Sequence, residues 1–501
     1  MKLFFYLLSV LLFYSSCSKK EKHSHSIKIY QTNAEGEHFK LKDSFEEHSS
    51  IFKMELDTTE KFQTIIGFGG AFTESSSHLI SKLNKAAKND VLGSYFSDTG
   101  ANYSLVRTHI NSCDFSLKSY AYDTVSNDTA LIHFSIEEDL NDIIPILKAA
   151  QDITSSGFKI LASPWTAPPW MKDNTNWFGG RLLKKYYSTW AKYFVKYALA
   201  YSNEGLDVWG FTIENEPLGN GENWESMHFS PNEMGDFVKE HLGPILKSNN
   251  MEQKLFIFDQ NKGEELEEYT KTLLRDSTLL SYIDGTAVHW YASTFNSYES
   301  SLNTINQIAP MKSIIHSEAC IDAEIPQWKN DRWYWAKEAT DWGWEWAPKD
   351  KKKDHPKYAP VYRYANDIIN CMNNQVSAWI DWNMVLDRQG GPNHAKNWCI
   401  APIIVDTVIQ EVYKTPLYYV MRHFSQFVRP DARRIGFRLN TNALNGTAFI
   451  NKDKSIIVVL FNPGTTDYNG VIKLGSQEFN ISIDKQAIQT ILLIENKSKH
   501  G

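Results

Sequence analysis

Short apolar runs alternate with longer amphipathic segments along most of the chain. The amphipathic segments, such as residues 183–201 and 232–248, have the spacing of helices that bury one face. The first apolar run leads into the glycines of residues 67–70, which are expected in a loop that lets backbone pass close to a pocket. Eight apolar runs have the character of buried parallel strands, and they start at Thr64, Ser104, Lys159, Val208, Leu255, Thr286, Ser313 and Val376. This strand-then-helix order predicts an α/β fold, the (β/α)8 TIM barrel.

The pattern changes towards the C-terminus. From about residue 427, short apolar strands are separated by turns, which is typical of a β-sandwich. Residues 27–60 alternate weakly and predict one or two strands that belong to the same side domain. We therefore expect a tether and N-terminal sandwich strands over residues 18–61, the barrel over residues 62–426 and the remaining sandwich strands over residues 427–501.

The first 17 residues have the pattern of an export signal. A basic start is followed by an apolar run over residues 3–13 and by small residues before Cys17. The run is too short for a membrane-spanning helix. It predicts a bacterial lipoprotein signal over residues 1–17 with Cys17 as the acylated residue, and the alternative is an ordinary secretory signal with a chance cysteine. We expect an exported protein of the cell envelope that is held at the membrane by lipid on Cys17.

Composition excludes some classes of function. The chain has 501 residues, a net charge of −7 and no basic patch, so a nucleic-acid partner is not expected. Its 16 tryptophans and 24 tyrosines suit either a large core or flat faces that stack on sugar rings. The remaining cysteines, Cys113, Cys320, Cys371 and Cys399, form no CxxC pair and no zinc spacing with histidine. We expect buried thiols and no metal site, and the sequence assigns no disulfide.

Two of the predicted strands end on a glutamate. The strand over residues 208–213 leads into Glu216 and Pro217, and the proline stops the ladder there. The strand that starts at Ser313 ends on Glu318 in the same way. One carboxylate at a strand end most simply faces water, but the C-terminal rim of a β/α barrel is where chemistry takes place. Two rim carboxylates on one sheet favour paired acid and base catalysis.

Polar or aromatic residues follow nearly every predicted strand. They are Asp114, Trp165, Glu216, Asp259, Tyr291, Glu318 and Trp382. The ordered motifs around them resemble glycoside hydrolase family 30, in its glucosylceramidase branch. The resemblance covers nearly all of the chain after the signal, and its motifs are residues 67–74, 112–116, 161–166, 214–217, 289–291, 317–320, 381–383, 390–393 and 401–406. One short motif is a weak signal, whereas the whole ordered series is specific.

The resemblance implies a retaining β-glucosidase that acts by double displacement. Glu216 matches the family's general acid/base and Glu318 matches its nucleophile, and in retaining enzymes such carboxyls stand ~5–5.5 Å apart. Asn215 matches the residue that contacts the sugar 2-hydroxyl, while Tyr291 and Arg107 match groups that hold the nucleophile ionised and oriented. The other expected substrate-binding residues are Asp114, Trp165, His289, Trp382 and Asn397. This mechanism needs no metal and no organic cofactor, and the expected partner is a β-glucoside in a polysaccharide, an oligosaccharide or a glycolipid.

The segment between Glu318 and Trp382 is longer than in the animal members of that family. It contains six tryptophans, Trp328, Trp333, Trp335, Trp342, Trp344 and Trp346. They either hold a long loop in place or form a wall on the leaving-group side. The departure favours glucose in β-1,6-linked glucan or its branches as the substrate, with glucosylceramide as the alternative.

Two further functions remain open on sequence grounds. A non-catalytic carbohydrate-binding barrel is disfavoured because both Glu216 and Glu318 are present. An inverting hydrolase requires carboxyls ~6.5–9.5 Å apart, which a structure distinguishes from the retaining arrangement.

Overall fold

The computed structural model describes residues 24–42, 51–219, 223–293, 295–323, 335 and 360–496. The predicted signal with Cys17 lies outside the described residues, and lipidation stays a prediction. Five tryptophans of the long segment also lie outside the described residues, namely Trp328, Trp333, Trp342, Trp344 and Trp346. Trp335 is buried and packs in the main core cluster. Within the described ranges, no helix is both long enough and apolar enough to cross a bilayer.

Strands and helices alternate over most of the described chain. The strands are β1 (His25–Asn33), β2 (Lys40–Lys42), β3 (Phe52–Thr64), β4 (Gly67–Ala71), β5 (Leu105–Ile110), β6 (Lys159–Pro164), β7 (Val208–Thr212), β8 (Lys254–Asn261), β9 (Gly285–His289), β10 (Ser313–Glu318), β11 (Ile321–Ala323), β12 (Val376–Asp381), β13 (Val385–Asp387), β14 (Trp398–Ile400), β15 (Ile403–Asp406), β16 (Glu411–Lys414), β17 (Arg433–Leu439), β18 (Asn445–Ile450), β19 (Ile456–Asn462), β20 (Tyr468–Leu474), β21 (Gln477–Ile483) and β22 (Ala487–Glu495). The α-helices are α1 (Glu74–Lys82), α2 (Lys85–Phe96), α3 (Ile143–Gln151), α4 (Tyr187–Asn203), α5 (Pro231–Phe237), α6 (Gly243–Ser248), α7 (Glu264–Leu273), α8 (Ser277–Leu280), α9 (Glu299–Ile308), α10 (Pro360–Asn373) and α11 (Pro416–Ser425).

Eight parallel strands close into a barrel, which confirms the predicted (β/α)8 fold. Their order around the barrel is β4, β5, β6, β7, β8, β9, β10 and β12, and β12 returns to pair with β4. Apolar side chains from these strands pack in one cluster that includes Leu105, Leu161, Phe256, Ile315 and Ile380. The carboxyl ends of the eight strands meet at one rim, so residues just after each strand lie near one another.

The glycine-rich segment is the first barrel strand itself, which corrects the expected loop. The run at Thr64 ends β3 in the side domain, and the barrel begins with β4 at Gly67. An added Cβ at Gly69 would lie 1.5 Å from the carbonyl oxygen of Leu105 in β5, and one at Gly70 would lie 2.6 Å from Cγ of Met384. The glycines therefore permit close packing against a neighbouring strand and side chain.

Helix α1 starts directly after β4 and fixes the rim on that side. Thr73 caps the helix by accepting a hydrogen bond from the backbone N–H of Ser76. The same hydroxyl group lies 2.7 Å from the side-chain oxygen of Asn383, which follows β12. The exits of the first and last barrel strands are thus joined by one side chain.

Nine strands from both ends of the described chain form the side domain, as predicted. Their order is β2, β1, β22, β19, β18, β17, β3, β20 and β21, and they enclose a core that includes Met54, Ile435, Val458 and Ile491. The sequence pattern did not predict β21, because exposed and buried residues alternate there without an apolar run. His423 of α11 contacts Thr32 and Thr490 at 2.9 Å each and so joins this domain to the barrel.

Candidate active site

Glu216 and Glu318 lie at the rim, after the fourth and the seventh barrel strands. Glu318 is the last residue of β10, and Glu216 follows β7 in a left-handed backbone conformation with φ of 52°. The backbone N–H of Glu216 donates a 2.9 Å hydrogen bond to the carbonyl of Asp259, which holds this turn against the exit of β8. One carboxylate oxygen of each glutamate and one nitrogen of His289 all lie within 4.8 Å of one another. A separation of this size between the nearest oxygens is consistent with the ~5–5.5 Å between the carboxyl groups of a retaining pair.

His289 stands between the two glutamates and is fully buried. Its Nδ1 lies 3.5 Å from Glu216, and its Nε2 lies 3.9 Å from Glu318 and 3.0 Å from Asp259. Burial alone would lower the pKa of His289, but the charge of Glu318 and the hydrogen bond with Asp259 outweigh it and raise the pKa to about 9. The ring is therefore an imidazolium at neutral pH and faces a carboxylate on each side.

Arg107 on β5 lies in the middle of this group and has no exposed surface. Its guanidinium donates to Glu318, to Asp259 at 2.8 Å and to the side-chain oxygen of Asn215 at 2.8 Å. Its Nε donates to the hydroxyl of Ser163 at 3.0 Å. These contacts satisfy a buried cation through partners on several strands, and they fix the rotamer of Asn215.

Glu318 is held through both of its oxygens. Arg107 donates to Oε2, and the hydroxyl of Tyr291 donates to Oε1 at 2.9 Å. The pKa of Glu318 is raised overall, because burial outweighs the charges of His289 and Arg107, which act in the opposite direction. The carboxylate is thus oriented by two donors and faces two cations.

Four of the expected sugar-binding residues form one wall beside the glutamates. The indoles of Trp165 and Trp382 stack with ring centroids 5.2 Å apart, and both are almost fully buried. The amide of Asn397 donates to Oδ2 of Asp114 at 3.0 Å, and Oδ1 of Asp114 is buried without a hydrogen-bond partner in the described structure. Burial, followed by the charge of Glu318, raises the pKa of Asp114 well above its usual range. An unsatisfied buried oxygen at this position is suited to accept a hydrogen bond from a ligand hydroxyl.

Asp259 is the main residue of the site to which the sequence assigned no role. It follows a predicted strand, but it lies at a register shift in β8, where Phe258 and Asp259 both have positive φ. Besides Arg107, its carboxylate accepts hydrogen bonds from His289 and, at 2.5 Å, from Ser317. Burial opposes its ionisation, yet Arg107 and His289 hold the pKa of Asp259 far below its usual range. The strand-end position was a signal, whereas the bulge that turns the side chain inward was not visible in the sequence.

A second ion pair at the rim was also missed. Glu225, in the loop after β7, is fully buried and accepts a 2.8 Å hydrogen bond from Ser112. Its other oxygen lies 3.1 Å from Nε2 of His394, and the backbone N–H of His394 donates to the carbonyl of Ser116 at 2.9 Å. The pair connects the loops that carry Glu216, Asp114 and Asn397. No sequence signal links residues so far apart in the chain.

Comparison with known proteins agrees with the family resemblance found in the sequence motifs. The model of the glycosyl hydrolase family 30 TIM-barrel domain matches residues 65–428, and that of the family 30 beta sandwich domain matches residues 431–491. The lysosomal acid glucosylceramidase of Mus musculus is 32% identical over 422 residues, which are 82% of this chain and 77% of that protein. The crystal structure of SrfJ from Salmonella typhimurium has a TM-score of 0.81 with 27% identity, covering 94% of this chain and all (100%) of that one. The structure of an endo-β1,6-glucanase has a TM-score of 0.79 with 26% identity, covering 93% and 99%.

The charge of His289 predicts a pH dependence of stability. Its pKa rises from about 6.5 in the unfolded chain to about 9 in the fold, so its contribution is complete below about pH 6.5 and is lost as the pH rises through about 9. The free energy of unfolding in urea should fall more steeply over this range in the wild type than in His289→Gln. Replacing the exposed residue Met311, which has no titratable group, with Gln is the control and should keep the wild-type slope. Equal slopes in wild type and His289→Gln would contradict the assignment.

Replacing Asp114 should lower the activity without lowering the stability of the fold. Asp114→Ala removes a buried hydrogen-bond acceptor and leaves a sugar hydroxyl without its partner, a loss of about 1–3 kcal/mol in ligand binding, so kcat/KM on an aryl β-glucoside should fall roughly fivefold to a hundredfold. The melting temperature should stay the same or rise, because one oxygen of this buried carboxylate has no partner in the described structure. A large decrease in melting temperature would instead indicate a structural role.

Proposed function

The chain belongs to glycoside hydrolase family 30, whose members are retaining glycosidases, and we propose that it removes β-linked glucose from a β-1,6-linked glucan. In this proposal Glu318 is the nucleophile and Glu216 is the general acid and base. The single observation that carries it is the separation of the two carboxylates, whose nearest oxygens lie within 4.8 Å with His289 beside them. In a retaining reaction one carboxylate must reach the anomeric carbon while the other reaches the leaving oxygen.

The first step transfers the glucosyl group to the enzyme. An oxygen of Glu318 attacks the anomeric carbon, the glycosidic C–O bond breaks, and Glu216 gives its proton to the leaving oxygen. In the second step Glu216 takes a proton from a water molecule, which attacks the same carbon and releases Glu318. Two inversions return the β configuration.

The neighbours of the two glutamates support this division of roles. Glu318 receives hydrogen bonds from Arg107 and Tyr291, which favour an ionised carboxylate able to attack. Glu216 has 15% of its side chain exposed and is the more open of the two, as a residue that exchanges protons with water requires. The imidazolium of His289 remains between them through both steps.

The glycone side is proposed to bind glucose through the wall next to Glu318. Oδ1 of Asp114 would accept from sugar hydroxyls, and Asn397 fixes the orientation of that carboxylate. The amide of Asn215 is held by Arg107 at a position suited to the sugar 2-hydroxyl. Trp165 and Trp382 supply flat apolar surface for the ring.

The choice of β-1,6-glucan has support from two observations. An endo-β1,6-glucanase shares the fold over 99% of its own length. The second is the expectation from the sequence that the tryptophan-rich segment between Glu318 and Trp382, most of which lies outside the described residues, is longer than in the animal members of the family. Glucosylceramide is the second candidate, because the mouse glucosylceramidase is 32% identical over most of both chains.

Azide products distinguish the two glutamates. Glu318→Ala should lose nearly all activity on an activated aryl β-glucoside, because no nucleophile remains. Added azide should restore turnover by direct displacement and give the α-glycosyl azide. Glu216→Ala should still form the glycosyl-enzyme, and azide should then give the β-glycosyl azide after two displacements. Proton NMR of the anomeric signal identifies each product.

A surface carboxylate provides the control for this experiment. Glu204, paired with Lys148, lies away from the strand C-terminal rim, so Glu204→Ala should keep wild-type kinetics and form no azide adduct beyond the wild-type level. If the Glu318 variant gives the β-azide, or the Glu216 variant gives the α-azide, the two roles are reversed.

A substrate panel tests the linkage. We expect kcat/KM on β-1,6-linked gluco-oligosaccharides to exceed that on β-1,3- and β-1,4-linked ones, and on detergent-dispersed glucosylceramide, by at least about tenfold, or ~1.4 kcal/mol of differential transition-state binding. Activity confined to glucosylceramide would reject the glucan and establish the second candidate. Activity on aryl β-glucosides in the same samples verifies that the enzyme is intact.

A further inference from the structure

Two cysteines meet beside the catalytic centre. The sulfur atoms of Cys320 and Cys399 lie 3.0 Å apart although the residues are 79 positions apart in the chain. Both side chains are almost fully buried, in the same apolar cluster as Trp165 and Trp382. Of the other described cysteines, Cys113 belongs to the same cluster and its sulfur lies 3.8 Å from the hydroxyl of Ser116, whereas Cys371 lies near Lys262 and Asp367.

The backbone around the two sulfurs is already held together. Strand β11 starts immediately after Cys320, and it pairs antiparallel with β14, which contains Cys399. In this short ladder Ile321 lies opposite Ile400. Bringing the two sulfurs to the bonded separation of about 2.05 Å therefore requires a movement of only about 1 Å, without repacking of the strands.

We propose that Cys320 and Cys399 are a cross-link site and form a disulfide bond in the mature protein. The oxidant is another disulfide, supplied by a low-molecular-weight compound or a thiol–disulfide oxidoreductase. The thiolate of one cysteine attacks that disulfide, and a mixed disulfide forms with loss of one thiol. The second cysteine then displaces the other thiol. The balance is two cysteine thiols and one disulfide giving the Cys320–Cys399 disulfide and two thiols.

The cross-link would join two sides of the active site. Cys320 is two residues after Glu318, and its sulfur lies 3.5 Å from the hydroxyl of Tyr291, which donates to Glu318. Cys399 is two residues after Asn397, which holds Asp114. A bond between them fixes the distance between the nucleophile and the wall that faces the sugar. It also closes a chain loop that contains the whole tryptophan-rich segment, and closing a long loop restricts the unfolded chain strongly.

The compartment predicted from the N-terminal sequence agrees with this chemistry. Disulfides form and persist in exported proteins, whereas cytosolic proteins are kept reduced. The inference itself depends on neither the substrate nor the lipid anchor, because it rests on the placement of the two sulfurs.

Alkylation followed by peptide mass spectrometry tests the cross-link on the full chain. The folded protein is incubated with glutathione disulfide at temperatures up to just below melting, then denatured and alkylated with and without prior reduction. We expect Cys320 and Cys399 to be alkylated only after reduction, and their two peptides to be found joined, lighter by two hydrogen atoms than the separate thiol peptides. Cys113 and Cys371 are controls within the same sample and should be alkylated in both arms.

A matched variant provides the second control. In Cys399→Ala, no joined peptide should form, and Cys320 should carry either a free thiol or glutathione, because no second cysteine displaces the mixed disulfide. In the same variant the time for half-inactivation by heat should lose the dependence on reductant that we expect of the wild type. Three results in the wild type would overturn the proposal: two thiols that remain alkylatable after the disulfide treatment, glutathione attached to either cysteine, or a cross-link that includes Cys113 or Cys371.

Discussion

The buried guanidinium of Arg107 is the constraint on which the catalytic centre depends. A cation with no exposed surface is stable only if anions and hydrogen-bond acceptors surround it. Here Glu318, Asp259, Asn215 and Ser163 supply them, from four other barrel strands or their exits. The closed barrel makes this possible, because parallel strands bring residues that are distant in the chain to one rim. Removing Glu318 or Asp259 would leave positive charge uncompensated in the interior, and removing Asn215 or Ser163 would leave a buried N–H group without its acceptor.

The charge states of Asp259 and His289 depend on Arg107 and its partners. Arg107 keeps Asp259 ionised, and Asp259 together with Glu318 keeps His289 protonated. Two cations and two anions then balance each other among buried side chains. Fixed charges of this kind need no reorganisation during the reaction, which is the main electrostatic advantage of an enzyme site over solution. In the proposed mechanism, the proton that must move is carried by Glu216, at the more exposed edge of the group.

Sequence patterns predicted the parts of this structure that depend on local chemistry. Apolar runs identified seven of the eight barrel strands, and strand-end positions marked Glu216, Glu318, Asp114, Trp165, Tyr291 and Trp382. The roles expected for Arg107, Asn215, His289 and Asn397 came instead from the resemblance to the family. The features that were not predicted depend on contacts between distant segments. The glycines at 67–70 form a strand because Leu105 lies against them, the inward direction of Asp259 comes from a bulge, and Glu225 meets His394 only after three loops have packed. Strand β21 was not predicted for a different reason, because it is a partly exposed edge strand without an apolar run.

The two sides of the scissile bond are built by different parts of the chain, and this explains how one centre suits several leaving groups. In the proposed function, the glycone side consists of buried side chains at strand ends, where Trp165 and Trp382 pack against Arg107 and Asn397 holds Asp114. The leaving-group side is proposed to be formed by loops, which tolerate insertions better than the strands do. A glucosylceramidase and an endo-β1,6-glucanase can therefore share the fold and differ in what they release. Binding energy gained on the loop side raises turnover only when the natural leaving group fills that side. Specificity in this enzyme should consequently be sought in the loops after β7 and β10, while changes at the strand ends alter catalysis of every substrate together.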